Sequence, residues 1–309
     1  MKKVYTLIVL IMFMFCLSSC VNDSSKDKVK VITPSGAPTL GISYAIKDDK
    51  IFDTTIVAGP DALAAAFSNK EYDIIVAPVN LGVKFYNSLN KFDYVYYKTI
   101  IGGCFYLASI EKIETFQELN NTEITVFGKN STPDVVVRSL INYYGLNVKI
   151  NYVNDVSEAN AMLIGNKANI IVSAEPAISK INQNNKYHTF DLTEEWKKIS
   201  NTNFNIPQAG IFVKKNKIKE ANVKRALKQI DESLNLASEN PKLLAEVSIQ
   251  IDESLNKIGV DILTHAIPRC HYIYNEYDSS EITFYLTQII SLNLGQLIGE
   301  KIPNEDFFA

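Results

Sequence analysis

The chain has 309 residues, 47% of them hydrophobic, with 31 basic and 34 acidic side chains and a formal net charge of -3. That apolar fraction can bury a substantial core, and the length favours two folded units over one. The near balance of charge, with the lysines scattered, excludes a basic surface for nucleic acid, and the composition is neither disordered nor collagen-like.

The first element is MKKVYTLIVLIMFMFCLSSC. Lys2 and Lys3 precede an apolar run from Val4 to Leu17. The run is shorter than the roughly 20 apolar residues that span a bilayer, and it has the n-region and h-region of an export signal. It ends in Leu17-Ser18-Ser19-Cys20, which resembles a bacterial lipobox. The expectation is a signal over residues 1–19, a lipid on Cys20, and a polar tether over 20–28 (CVNDSSKDK).

Next, VKVIT from Val29 reads as a strand, PSGAPT as a loop and TLGISYAIKDD as a helix. TTIVAG is a second strand and ALAAAFSNK a helix. DIIVAP, from Asp73, is a third strand, apolar enough to be covered on both faces, and LGVKFYNSL follows as a helix. The same plan then recurs. ITVFG is a strand, GKNSTPD a loop and VVVRSLINYYG a helix, with Ser131 or Thr132 as its cap. VKINYV, EANAMLIG, NIIVS and PAISKIN complete the second set. NIIVSAEP, from Asn169, therefore echoes DIIVAPVN. Alternating strands and helices imply mostly parallel sheets.

Two connectors, YVYYKTIIGGCFYLAS and FNIPQAGIFVKK, carry the chain into the second unit and out again. Two crossings imply that the second unit is inserted into the first. Lobe 1 is then residues 29–108 with 209–309, and lobe 2 is 109–208. From Asn216 onward the pattern is helical.

Ligands of open α/β sheets bind beyond the carboxyl ends of the strands. Four loops fall there, and several open helices whose first N–H groups are unpaired. They make Ser35, Gly36, Thr39, Asn80, Asn130, Ser131, Thr132, Ser173 and Glu175 the candidate ligand-binding residues, with Tyr106 and Gln208 on the cleft floor. Glu175 suits a ligand amine or heteroaromatic N–H. The lone Trp196 reads as structural.

Catalytic patterns are thin. GxSxG, GxxxxGK[ST] and HExxH do not occur. His265, Cys270 and His271 lack a useful zinc spacing, and Cys104 has no base assignable to it. No catalytic residue, metal or cofactor is expected. Beyond Cys16 and Cys20 only Cys104 and Cys270 remain, and they read as buried thiols rather than a staple.

The lipobox, PSGAPT, ALAAAFSNKEYDIIVAPVN, GGCFYLAS, NIPQAGIFVKK, AIPRC and KIPNEDFF together resemble an ABC-importer solute-binding lipoprotein. The branch is that of NMT1/THI5-like and nitrate/sulfonate/taurine-type binding proteins. The resemblance implies a type II periplasmic-binding fold: two α/β lobes, each a mixed, mostly parallel sheet flanked by helices, a two-segment hinge, and C-terminal helices returning to lobe 1. It implies a small-molecule ligand, with a thiamine-pyrimidine-like heteroaromatic slightly favoured over a sulfonate-like anion. It also implies a permease and ATPase as partners, a monomer, and attachment to the outer face of a bacterial membrane through Cys20. The cysteine run of the related pyrimidine synthases does not occur here. The alternatives are an enzyme on the same fold, as in the menaquinone-pathway proteins, or a surface sensor without transport.

Overall fold

The computed structural model describes residues 28–200, 202–274 and 279–309. The expected signal, Cys20 and most of the tether lie outside the described residues.

The first unit follows the apolar runs. β1 (Val29–Pro34) leads to helix α1 (Ala37–Ile46), β2 (Phe52–Val57) to α2 (Pro60–Asn69), and β3 (Ile74–Pro78) to α3 (Val79–Ser88). Ile74 to Ala77 are buried without exception, as a strand covered on both faces requires. α1 and α2 each carry a proline in the first turn, where the missing N–H costs no hydrogen bond. After β4 (Tyr94–Ile101) the chain leaves this sheet and enters the other as β5 (Phe105–Ser109). The single apolar connector read from sequence is thus two strands in two sheets.

The second unit is β6 (Glu123–Phe127), α4 (Thr132–Tyr144), β7 (Lys149–Val153), α5 (Val156–Ile164), β8 (Ile170–Ala174), α6 (Ala177–Ile181), β9 (His188–Asp191) and α7 (Leu192–Ser200). β10 (Ala209–Lys214) then brings the chain back. The first sheet has the order β2-β1-β3-β10-β4 and the second β7-β6-β8-β5-β9. β1, β2 and β3 are parallel, as are β6, β7 and β8, while β10 and β5 run antiparallel to their neighbours. The two orders match place for place. DIIVAP and NIIVSA occupy the same central place, and each sheet has as its fourth strand the one that has just crossed from the other unit.

Helices α8 (Ala221–Glu239), α9 (Pro241–Ile251), α10 (Glu253–Asn256) and α11 (Val260–Ala266) follow. α8 buries Val223, Leu227, Ile230 and Leu234 along one face, at helical spacing. It is pinned to α1 where the Ser233 hydroxyl donates to the Gly41 carbonyl (2.8 Å). The last helix, α12 (Ser279–Ser291), packs against α4 of the second unit: the Tyr285 hydroxyl donates to Thr132 Oγ1 (3.3 Å), and the Phe284 ring stands edge-on to Trp196 at 5.4 Å. The chain then returns to α3, where Asn87 Nδ2 donates to the Ile298 carbonyl (2.6 Å). One apolar core runs through both sheets. Among the described residues no helix is long and apolar enough to cross a membrane.

Candidate functional site

Three segments converge where the sheets join: residues 102–106 leading into β5, the end of β8, and the 3-10 turn Ile267–Cys270 after α11. Gly102 N–H donates to the His271 carbonyl (2.8 Å), and Ile101 bridges to Tyr272. Gly103 has φ +123, and a Cβ there would lie 2.4 Å from Thr193 Oγ1, so only glycine permits this approach. Across the same junction Cys104 Sγ donates to Gln208 Oε1 (3.2 Å). Burial pushes the Cys104 thiol up to about 12, with the Gln208 bond acting the other way, which disfavours the thiolate.

Glu175 stands just past the end of β8 and is only 3% exposed. Its N–H donates to the Cys104 carbonyl (2.9 Å). Its Oε1 accepts from Arg269 Nε, and the Ser179 hydroxyl and N–H also favour its charged form. Burial raises the Glu175 carboxyl above its ordinary range, and the Arg269 charge opposes that rise. The Arg269 guanidinium also lies over the Tyr106 ring, 4.1 Å from its centroid. The Tyr106 hydroxyl donates to the Arg269 carbonyl (2.9 Å), so one tyrosine holds both the backbone and the side chain of this arginine. Beside them His271 Nε2 lies 3.0 Å from Asp191 Oδ2.

Arg269 forms part of the wall of a cavity of about 420 Å³, together with Ser179, Asn182 and Thr189 from the second unit and Asp261 and His265 from α11. That volume is ordinary for a small-molecule site. The cavity opens between the inserted unit and the C-terminal helices.

The residues expected from sequence are placed as follows. Glu175 and Tyr106 meet at Arg269 and reach the cavity through it. Gln208 supports Cys104. Ser173 is buried and donates to Asn160 Oδ1 (2.7 Å). The Thr39 hydroxyl is buried and donates to the Pro34 carbonyl (2.8 Å). Gly36 takes φ +96 before α1, with open space on its Cβ side. Asn80 is half-buried in the first turn of α3, and its Oδ1 has no partner among the described residues. Ser131 sits at the N-cap of α4, yet its hydroxyl donates back to the Gly128 carbonyl instead of capping. Thr132 receives Tyr285.

One helix N-terminus expected to offer N–H groups to an anion, that of α4, already has a carboxylate of the chain beside it, and so do the starts of α10 and α7. Asp134, fully buried in the first turn of α4, accepts from Asn130 N–H (2.9 Å) and from the Tyr152 hydroxyl (2.8 Å). Asp252 accepts from the Ser35 hydroxyl (2.7 Å) and caps α10 at Ser254 N–H (2.8 Å). Asp191 accepts from Thr193 N–H (2.8 Å) at the start of α7. An added anion at these points would meet like charge at short range.

Arg269, Asp191 and Asp252 were not among the expected residues. The AIPRCH segment places Arg269 and His271 close together in the chain, but does not reveal that Arg269 faces Glu175, 94 positions earlier, or that His271 faces Asp191, 80 positions earlier. No group of three or more His, Cys, Asp or Glu among the described residues is placed to hold a metal ion.

Two mixed sheets of matching order, flanked by helices, define a type II periplasmic-binding-protein-like fold. Residues 38–261 match the family described as menaquinone biosynthesis, and the chain belongs to that family. Among solved structures, an ABC transporter protein from Parabacteroides distasonis is similar over 92% of this chain and 99% of its own, at 19% identity and TM-score 0.76. The periplasmic aliphatic sulphonate-binding protein of Escherichia coli is similar over 89% and 90%, at 9% identity and TM-score 0.70. The ligand-binding component of an ABC-type import system from Staphylococcus aureus, with zinc bound, is similar over 91% and 96%, at 13% identity and TM-score 0.66. No curated protein sequence matches the chain significantly. The likeness to these structures is one of fold. The family match brings forward the group that the sequence reading had placed as its alternative.

Proposed function

We propose that the chain is an extracytoplasmic solute-binding protein that captures a small molecule between two lobes and delivers it to an ABC permease with its ATPase. The observation that carries this reading is the cavity itself. Its walls come from the inserted unit on one side and from α11 and Arg269 on the other, so a bound solute would touch both. A ligand that contacts both lobes favours the closed arrangement by its differential affinity, and the permease reads that state. Residues 29–101 with 209–309 act as one lobe and 105–204 as the other, since β5 pairs with β8 and β9, with hinge segments at 102–104 and 205–208. The proposal includes export, lipid on Cys20 and a monomeric receptor, all three resting on the sequence and the resemblance. The importer proteins that share the fold support the transport reading by analogy. For the solute, a pyrimidine-like heteroaromatic and a sulfonate-like anion are the two classes in view.

The family match over residues 38–261 favours a second reading, an enzyme acting on a small metabolite. The export signal stands against it, since such an enzyme works on cytoplasmic intermediates. Uptake of a labelled solute by cells lacking this chain tests the first reading. Restoring the wild-type chain is expected to restore uptake, and Cys20→Ser is expected to release the protein from the membrane and weaken it. Unchanged uptake without the chain, for every solute it binds, would contradict transport.

A further inference from the structure

We propose that Arg269 is the anchor for the anionic group of the solute, a carboxylate or a sulfonate, with Glu175 and Tyr106 as its positioning residues. The inference rests on the solute-binding reading and names the ligand class for the same cavity.

Arg269 is the cationic side chain in this wall, and the geometry fixes how it points. Nε is taken by Glu175, and the guanidinium plane is stacked on Tyr106. No group among the described residues accepts from Nη1 or Nη2, although the side chain is 36% exposed. An arginine held at Nε and on one face presents its remaining N–H groups as a fork, which matches a carboxylate or sulfonate in two parallel hydrogen bonds. The rotamer entropy is lost during folding, so little is left to lose on binding.

The accessible partner decides between the ligand classes. The Glu175 carboxylate, the acceptor a ligand amine would need, is buried and does not line the cavity, whereas Arg269 does. A solute entering the cavity therefore meets the guanidinium first. Thr189 lines the same wall, while Ser179 is engaged with the Glu175 carboxylate. The His265 Nδ1–H donates to the Asp261 carbonyl (2.8 Å), which fixes how the ring is oriented in the wall. Asp261 is the opposing charge in the wall, and its exposed position lets water screen it. At the start of α4, Asp134 already accepts from the Asn130 N–H.

The test is calorimetry with butyrate, benzoate, butanesulfonate and benzenesulfonate. Each is compared with its neutral amide or sulfonamide, and an aminopyrimidine serves as the heteroaromatic probe. Wild-type protein is expected to bind at least one anion more tightly than its neutral partner by about tenfold or more. Arg269→Lys keeps the charge but loses the fork, and is expected to cut that ratio about tenfold. Removing Arg269 alone strands a buried carboxylate, so the Glu175→Gln, Arg269→Gln double variant is the folding-safe control. It is expected to stay folded and to lose the anion preference. Glu175→Gln alone removes the counter-charge while keeping an oxygen that can accept from Arg269 Nε, and is expected to raise the anion-to-amide ratio; an unchanged ratio would overturn the inference. The inference is overturned if no anion binds wild-type protein, if amides or the aminopyrimidine are preferred, or if the ratio survives in the Lys and double variants. A neutral probe bound equally by every variant sinks the anchor and leaves the receptor standing. An anion bound through Arg269 and then chemically converted sinks the receptor and leaves the anchor standing.

Discussion

His271 Nε2 lies 3.0 Å from Asp191 Oδ2, joining the segment after α11 to the end of β9 in the inserted unit. Burial alone would raise the Asp191 carboxyl. The His271 hydrogen bond and charge, with the N–H groups of Thr193 and Glu194, outweigh burial and hold it below its ordinary value of 3.8. A depressed folded value means that the carboxylate stabilises the fold above pH 3.8, and that this contribution is lost as pH falls through the lower folded value. Asp191→Asn should cost about 1.5–3 kcal/mol near neutrality and flatten the acid limb of the stability curve. Urea unfolding of both proteins between neutrality and strong acid measures this, and identical acid limbs would remove Asp191 from the account.

Gly82, in α3, faces the Phe212 ring of β10, and a Cβ there would lie 2.1 Å from the ring edge. Phe212 in turn stands edge-on to Phe67 at 5.1 Å and to Tyr96 at 5.2 Å, so it has no slack. Gly82→Ala should destabilise the protein by about 1–3 kcal/mol through overpacking, although alanine is the better helix former. Thermal unfolding decides it. An unchanged or raised Tm would mean that the helix and sheet are less tightly packed than described.

Cys104 and Cys270 are both free and fully buried. Burial is the main cause that raises both thiols. A maleimide at mildly alkaline pH should therefore label neither residue in folded protein within the time that labels exposed thiols, and should label both in denaturant. Rapid native labelling of either residue, located by peptide mapping, would contradict the burial described at the hinge.

Much of this fold was legible in the sequence, because each central strand announces itself. DIIVAP and NIIVSA are apolar on both faces and flanked by helix-forming runs, and they occupy equivalent places in the two sheets. The amphipathic spacing of Val223, Leu227, Ile230 and Leu234 likewise marks α8. The split of YVYYKTIIGGCFYLAS between two sheets was not legible, since β propensity says nothing about which sheet a strand joins. Glu175 stands out as a polar group at a strand end, and Tyr106 by its place on a connector. Arg269 does not, because its role comes from a carboxylate and an aromatic ring distant in sequence. Ser35 and Asn130 read as ligand-facing in the sequence, which does not reveal their contacts with Asp252 and Asp134. Helix N-termini look alike in sequence whether the anion they hold is a solute or the protein's own carboxylate.

The central claim is that a solute is held at Arg269 and released unchanged. It is tested most directly by mass spectrometry of an anion that binds wild-type protein, recovered after prolonged incubation with stoichiometric protein. The account predicts one solute per chain, recovered at its original mass and in full yield. A product of different mass, formed by wild-type protein and not by the Glu175→Gln, Arg269→Gln variant, would contradict it and establish the chain as an enzyme.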